Sequence, residues 1–146
     1  MTIAATAEQR RETQERRRIL VVEDYCRLAK LIAEVLELAG WQVVGPVRRL
    51  TEAIVIAASG DFEAALLDVN LGGEDVYPVA EVLHERRVPF AFLTGYGAEA
   101  LQRPFCDQPR LVKPFKPAEL IDTVARLITP AAEVPMACYR PVDGGG

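Results

Sequence analysis

Two kinds of segment take turns along the chain. Short continuous apolar runs are followed by longer stretches whose apolar residues recur at helical spacing. The runs are Ile19-Leu20-Val21-Val22, residues 41–44, residues 64–69 with Asp68 as the one interruption, Phe90-Ala91-Phe92-Leu93, and the shorter Arg110-Leu111-Val112. Runs of this length without alternation predict strands buried on both faces, as in a central parallel sheet. Gly45-Pro46 is expected to terminate the second of them. Residues 27–39 predict a helix with Leu28, Leu31, Ile32, Val35, Leu36 and Ala39 on one side. Arg27, Lys30, Glu34 and Glu37 occupy the other, and Gly40 supplies the C-cap. Residues 51–59 predict a short helix. Residues 75–86 predict another, with Val79, Val82 and Leu83 inward and Pro78 tolerable only in the first turn. Residues 98–102 have room for one helical turn before Pro104. Pro117 at position N1 opens the last helix, whose apolar face is Leu120, Ile121, Val124, Leu127 and Ile128.

Strand then helix, five times with short connections, predicts right-handed βαβ units and a doubly wound parallel α/β sheet. The domain spans residues 18–128. Residues 1–17 form a polar arm rich in Arg, Glu and Gln without an apolar stripe to dock it, and residues 129–146 a flexible Pro/Ala/Gly-rich tail.

Composition adds little beyond exclusions. The 146 residues suit one domain, and a net charge of −4 makes no electrostatic case for nucleic acid. Cys26, Cys106 and Cys138 are odd in number and lack a Cys-x-x-Cys spacing, which points to a reducing compartment rather than to disulfides or zinc. No apolar run reaches the roughly 18 residues of a membrane span, and no signal-peptide pattern opens the chain. The expectation is a cytoplasmic protein.

Chemistry enters at the strand ends. Glu23 and Asp24 follow the first strand, Asp68 ends the third, Thr94 the fourth, and Lys113 follows the fifth. In a flavodoxin-like order 2-1-3-4-5, strands one and three are neighbours, so the three carboxylates converge at the topological switch point. Such a group repels itself unless a hard cation neutralises it, and Mg²⁺ suits an all-oxygen site. Lys113 adds a movable charge and Thr94 a hydroxyl. Together these parts can clamp a phosphoryl group during in-line transfer to a carboxylate. Blander readings stand beside this one. Asp68 and Asp24 also suit a turn and a helix cap, Gly72-Gly73 reads as a turn, Cys26 as a small apolar filler, and the single His84 as solvated. No Gly-rich nucleotide loop follows any strand.

Taken together, these positions resemble the receiver domain of two-component response regulators, over about residues 18–128. An acidic pair, a phosphoacceptor aspartate, a Thr or Ser and a Lys-Pro occupy the corresponding strand ends, matching Glu23-Asp24, Asp68, Thr94 and Lys113-Pro114. The resemblance implies that Asp68 accepts phosphate from a histidine kinase. It implies that Asp24, Asp68 and the Asn70 backbone carbonyl bind Mg²⁺, with Glu23 acting mainly through a bridging water. It also implies a cis peptide at Lys113-Pro114, and a signalling domain rather than an enzyme in the ordinary sense. Residues 89–96, Pro-Phe-Ala-Phe-Leu-Thr-Gly-Tyr, are similar to the signature of the FAT GUY receivers, with Leu93 in place of an Ala. That branch is known for single-domain regulators with an altered fourth-helix region, often paired with HWE-type kinases. Arg110 stands where many receivers carry an aromatic switch residue, so Tyr96 with Arg110 becomes the expected signal relay. Pro104 and Pro109 predict a shortened or irregular fourth helix. Output would pass by protein contact or onward phosphotransfer, and homodimerisation stays open. The alternatives are a flavodoxin-like binding module, a phosphatase using the same acidic edge, and a phosphorylation-independent scaffold. A haloacid-dehalogenase-type phosphatase needs a second Asp where Asn70 stands.

Overall fold

The structure, a computed structural model, describes residues 17–95 and 101–129. Its centre is a parallel sheet of β1 (Arg18–Val22), β2 (Gln42–Val47), β3 (Ala64–Asp68), β4 (Phe90–Thr94) and β5 (Arg110–Val112). The spatial order is β2-β1-β3-β4-β5, the doubly wound order that the strand-helix alternation predicts. Among the described residues three α-helices fill connections, α1 (Cys26–Leu38), α2 (Leu50–Ser59) and α3 (Tyr77–Arg86), and α4 (Pro117–Ile128) follows β5. Between β4 and β5 the described residues hold only a 3₁₀ turn, Phe105–Asp107, in line with the irregular fourth helix expected there. The single turn anticipated over residues 98–102 lies largely outside the described residues. Most of the N-terminal arm and of the C-terminal tail lies outside them as well.

Successive side chains of a strand point to opposite faces, and that period of two sorts the core into two layers. Ile19, Val21, Ala64, Leu66, Ala91 and Leu93 pack with Ile32 and Leu36 of α1, Trp41, and Leu120 and Val124 of α4. On the other face Leu20, Val22, Ala65, Leu67, Phe90 and Phe92 pack with Ala53 and Ala57 of α2 and Val79, Ala80 and Leu83 of α3. Both faces are covered, which is why these strands read as unbroken apolar runs. Leu66 and Leu67 are fully buried, each contributing roughly 1.5–3 kcal/mol by area. Leu31, read from helical spacing as inward, is instead 45% exposed. Cys26, read as a filler, stands exposed at the start of α1. His84 is exposed as expected, its ring edge-on to Phe105.

The structure corrects two element boundaries. Gly45-Pro46 does not terminate β2: the strand continues to Val47 through a cis peptide and a shift of register against β1. Only glycine fits the first position. Gly45 has φ 101°, and a Cβ there would lie 2.5 Å from the Val47 nitrogen and 3.0 Å from the Val21 carbonyl oxygen. The proline is tolerated because β2 is an edge strand. The third helix begins at Tyr77 rather than at residue 75, because Asn70–Leu71 and Glu74–Asp75 pair as a small antiparallel ribbon first. Gly72 and Gly73, with φ 63° and 92°, make its turn. Elsewhere the expected punctuation holds to within a residue. The cap of α1 is Ala39, with Gly40, φ 102°, one residue beyond the expected place, and Pro117 opens α4, where the Glu119 carboxylate accepts the Lys116 N–H at 2.8 Å.

A candidate phosphoacceptor site at the carboxyl edge of the sheet

Parallel strands end together, so the residues that finish them share one edge. Asp68 is the last residue of β3, aligned with Leu93 of β4, and Thr94 is the last of β4, aligned with Val112 of β5. Glu23 follows β1, its N–H donating to the Val47 carbonyl at 3.0 Å, so the β2 edge fixes where its side chain begins. Lys113 is tied to the fourth strand by its own N–H, which donates to the Thr94 carbonyl at 2.7 Å. The Lys113-Pro114 peptide is cis, as the resemblance implies.

These anchors bring Glu23, Asp24 and Asp68 together, with one carboxylate oxygen of each within 4.8 Å of the others. The Lys113 ammonium lies 3.2 Å from Asp68 Oδ2 and 3.3 Å from Glu23 Oε1. Glu23 is fully buried and Asp68 and Thr94 nearly so. Among the described residues no donor is aligned to hydrogen-bond Glu23 Oε1, while its other oxygen accepts the Tyr25 N–H at 3.1 Å. Burial pushes the Glu23 carboxyl up to about 7, helped by the neighbouring Asp68 carboxylate, against the Tyr25 amide and Lys113. Burial acts to lower the Lys113 pKa, yet the charges of Asp68 and Glu23 outweigh it and raise it above the ordinary lysine value.

Three crowded carboxylates facing one ammonium leave negative charge in excess. Together with the buried Glu23 oxygen lacking an aligned donor, an all-oxygen donor set of this kind fits a hard divalent cation that keeps some of its waters. Glu23, Asp24 and Asp68 would hold it. Asn70 stands two residues on, its N–H donating to Asp68 Oδ1 at 3.1 Å. Its side-chain oxygen is occupied by the Gly73 N–H at 2.8 Å, closing the ribbon turn. Of the expected relay pair, Tyr96 lies outside the described residues. Arg110 directs its guanidinium to the Cys106 and Gln108 carbonyl oxygens.

Two features of the site escape the strand-end pattern. A cavity of about 640 Å³ opens over Asp68 and Lys113, walled by Tyr25, Leu28, Leu31, Pro114 and Phe115. The signal for it is an apolar stripe on α1 wider than the core needs. A second, polar cavity of about 360 Å³ sets Arg48 and Arg49 near Asp24, where the adjacent arginines are visible in the sequence as a pair.

Comparison with known proteins gives no match among protein-family models, but clear likenesses to individual chains. The solution structure of SdrG from Sphingomonas melonis shares 38% identity at a TM-score of 0.68, over 77% of this chain and 97% of that one. The receiver domain of a sensor histidine kinase from Pseudomonas aeruginosa, solved with a magnesium ion coordinated in the active-site cleft, shares 30% at a TM-score of 0.64, over 77% and 97%. The response regulator FleR of Pseudomonas aeruginosa is 32% identical over 75% of this chain but only 24% of its own length. The chain spans between 24% and 60% of the lengths of the curated relatives it matches.

Proposed function

The chain belongs to the receiver-domain family of two-component response regulators, and from that premise we propose that Asp68 is the phosphoacceptor of a Mg²⁺-dependent phosphotransfer from a histidine kinase. The observation that carries this reading is the convergence of Asp68 with two further carboxylates and the Lys113 ammonium at 3.2 Å. A carboxylate oxygen of Asp68 attacks the phosphorus of a phosphohistidine in line. A P–O bond forms as the P–N bond breaks, and the departing imidazole keeps the electron pair and takes up a proton from solvent. Lys113 and the Thr94 hydroxyl hold the phosphoryl oxygens. Glu23, Asp24, Asp68 and the Asn70 backbone carbonyl would hold Mg²⁺, Glu23 mainly through water. The bound ion supplies neutralisation of charge that Lys113 alone does not provide. The donor approaches over the apolar wall formed by Tyr25, Leu28, Leu31 and Phe115.

The finer reading is a single-domain regulator of the FAT GUY kind, residues 18–128, served by an HWE-type kinase in the cytoplasm. Its output passes by protein contact, including pairing of two copies, or by onward phosphotransfer. Tyr96 and Arg110 relay the signal, and the domain's own chemistry is limited to accepting and losing its phosphate. Two observations bear on these points. No described helix is long and apolar enough to cross a membrane. The Asn70 carboxamide, bonded to Gly73, offers no general acid beside Asp68, which speaks against the phosphatase alternative.

The test is transfer of labelled phosphate from a phosphorylated histidine kinase. Asp68→Ala should take up none, and labelling of that variant at the wild-type level would refute the assignment.

A further inference from the structure

One residue at the end of the loop after Asp68 holds the segment that follows β4. Tyr77, the first residue of α3, is 8% exposed. Its hydroxyl accepts the Gln102 N–H at 3.0 Å. Its ring lies nearly parallel to that of Phe105, centroids 6.0 Å apart and planes 8° from parallel, and edge-on to Phe92 at 5.9 Å. Phe105 is itself buried, and meets Phe90 and Phe92 edge-on. From the other side Arg110 grips the same 3₁₀ turn through the Cys106 and Gln108 carbonyl oxygens.

Tyr77 is also tied to Asp68 through a short, internally bonded loop. The Asn70 N–H donates to Asp68 Oδ1 at 3.1 Å. Asn70 and Leu71 pair with Asp75 and Glu74, and the Val76 N–H donates to the Val69 carbonyl at 3.0 Å. The loop is therefore bonded along its length, with one end on the Asp68 carboxylate and the other at Tyr77. Lys113, three residues beyond Arg110, contacts Asp68 at 3.2 Å and closes the path into a ring.

We propose that Tyr77 is a positioning residue that transmits the state of Asp68 to residues 101–109, an inference that rests on Asp68 being the phosphoacceptor. Phosphorylation moves negative charge from the carboxylate outward onto the phosphoryl group. The strongest acceptors beside the Asn70 amide are then the phosphoryl oxygens rather than the carboxylate oxygen it now meets, so its charge-assisted hydrogen bond is re-aimed. The ribbon shifts and takes Val76 and Tyr77 with it. Packed aromatic groups have discrete arrangements rather than a continuum, so the Tyr77 hydroxyl either carries Gln102 along or releases it. Both responses change the surface built by residues 101–109.

The experiment compares amide NMR spectra of the wild-type chain and Tyr77→Phe with Mg²⁺, before and after adding the phosphate mimic beryllofluoride. In the wild type, induced shifts should appear at residues 68–76, at Lys113 and across residues 101–109. In Tyr77→Phe the first two sets should persist, while the increment at 101–109 falls at least twofold. An unchanged increment at 101–109 overturns the proposal even if the resting spectrum differs, because a purely structural hydroxyl alters only the resting state. Absence of shifts at residues 68–76 and Lys113 in the wild type overturns the phosphoacceptor reading itself, and the relay with it.

Discussion

The two edges of the one sheet treat charge in opposite ways. At the amino edge opposite charges meet at the surface. Arg18 has its N–H on Glu63 at 2.6 Å and its guanidinium 3.9 Å from an exposed Asp61. Nearby, Arg86 caps the carboxyl end of α2 through the Ala57 and Gly60 carbonyl oxygens and lies over the Phe62 ring at 5.4 Å. At the carboxyl edge three carboxylates crowd within 4.8 Å, with Glu23 fully buried and one ammonium to share. Folding gains from the first arrangement and is opposed by the second. A local conflict that the rest of the fold must offset is the mark of a site kept for its chemistry.

Changes at the two edges should therefore separate stability from function. The largest effect is expected from Lys113→Ala. Removing the cation leaves Glu23 and Asp68 facing each other, which should cost about 2 kcal/mol in metal-free urea unfolding at pH 8 and reduce phosphotransfer by about a hundredfold. The same variant should bind Mg²⁺ several-fold more tightly, since a competing positive charge is gone. Weaker Mg²⁺ binding, measured by calorimetry, would contradict the electrostatic account.

A second effect, of similar size, is expected from pH. The Glu23 carboxyl is raised from its ordinary 4.5 to about 7, so the folded chain holds this proton more tightly than the unfolded chain. Its contribution to stability is therefore present at low pH and is lost as pH rises from about 4.5 to 7. The difference in unfolding free energy between wild type and Glu23→Gln in EDTA should move against the wild type across that window. Saturating Mg²⁺ should reverse the trend, because proton and metal compete for the same oxygens. A wild-type advantage growing with pH in EDTA would break the contrast between the edges.

The smallest effect belongs to the amino edge. Arg86→Ala should cost about 1 kcal/mol through the lost carbonyl bonds and ring contact. Mg²⁺ affinity and phosphate uptake should stay at wild-type values, and a tenfold loss of either would show that the two edges are not independent.

Much of this is legible in the order of residues. Unbroken apolar runs identify strands covered on both faces, and Glu23, Asp24, Asp68, Thr94 and Lys113 stand out because each directly follows or finishes such a run. Register explains the reliability of that reading: in a parallel sheet every strand ends at the same edge, so strand-end chemistry is pooled without long-range information. Element interiors were harder. Leu31 carries the same helical spacing as Ile32 and Leu36, yet it faces a cavity rather than the core. Spacing reports which residues share a face and says nothing of what that face meets. Gly45-Pro46, a stop signal by local rules, is carried inside β2 because an edge strand can spare the missing N–H.

Periodicity and strand-end residues thus determine the fold, the candidate phosphoacceptor and a donor set that suits a cation, since all three follow from local pattern and one topological rule. Tertiary structure alone decides how the charges are shared, which lifts Glu23 to about 7 and turns Lys113 onto both carboxylates. It alone decides that Tyr77 meets Gln102, 25 residues along the chain. Both depend on distances between segments far apart in sequence, and burial, electrostatics and ring packing act on those distances rather than on the order of the residues.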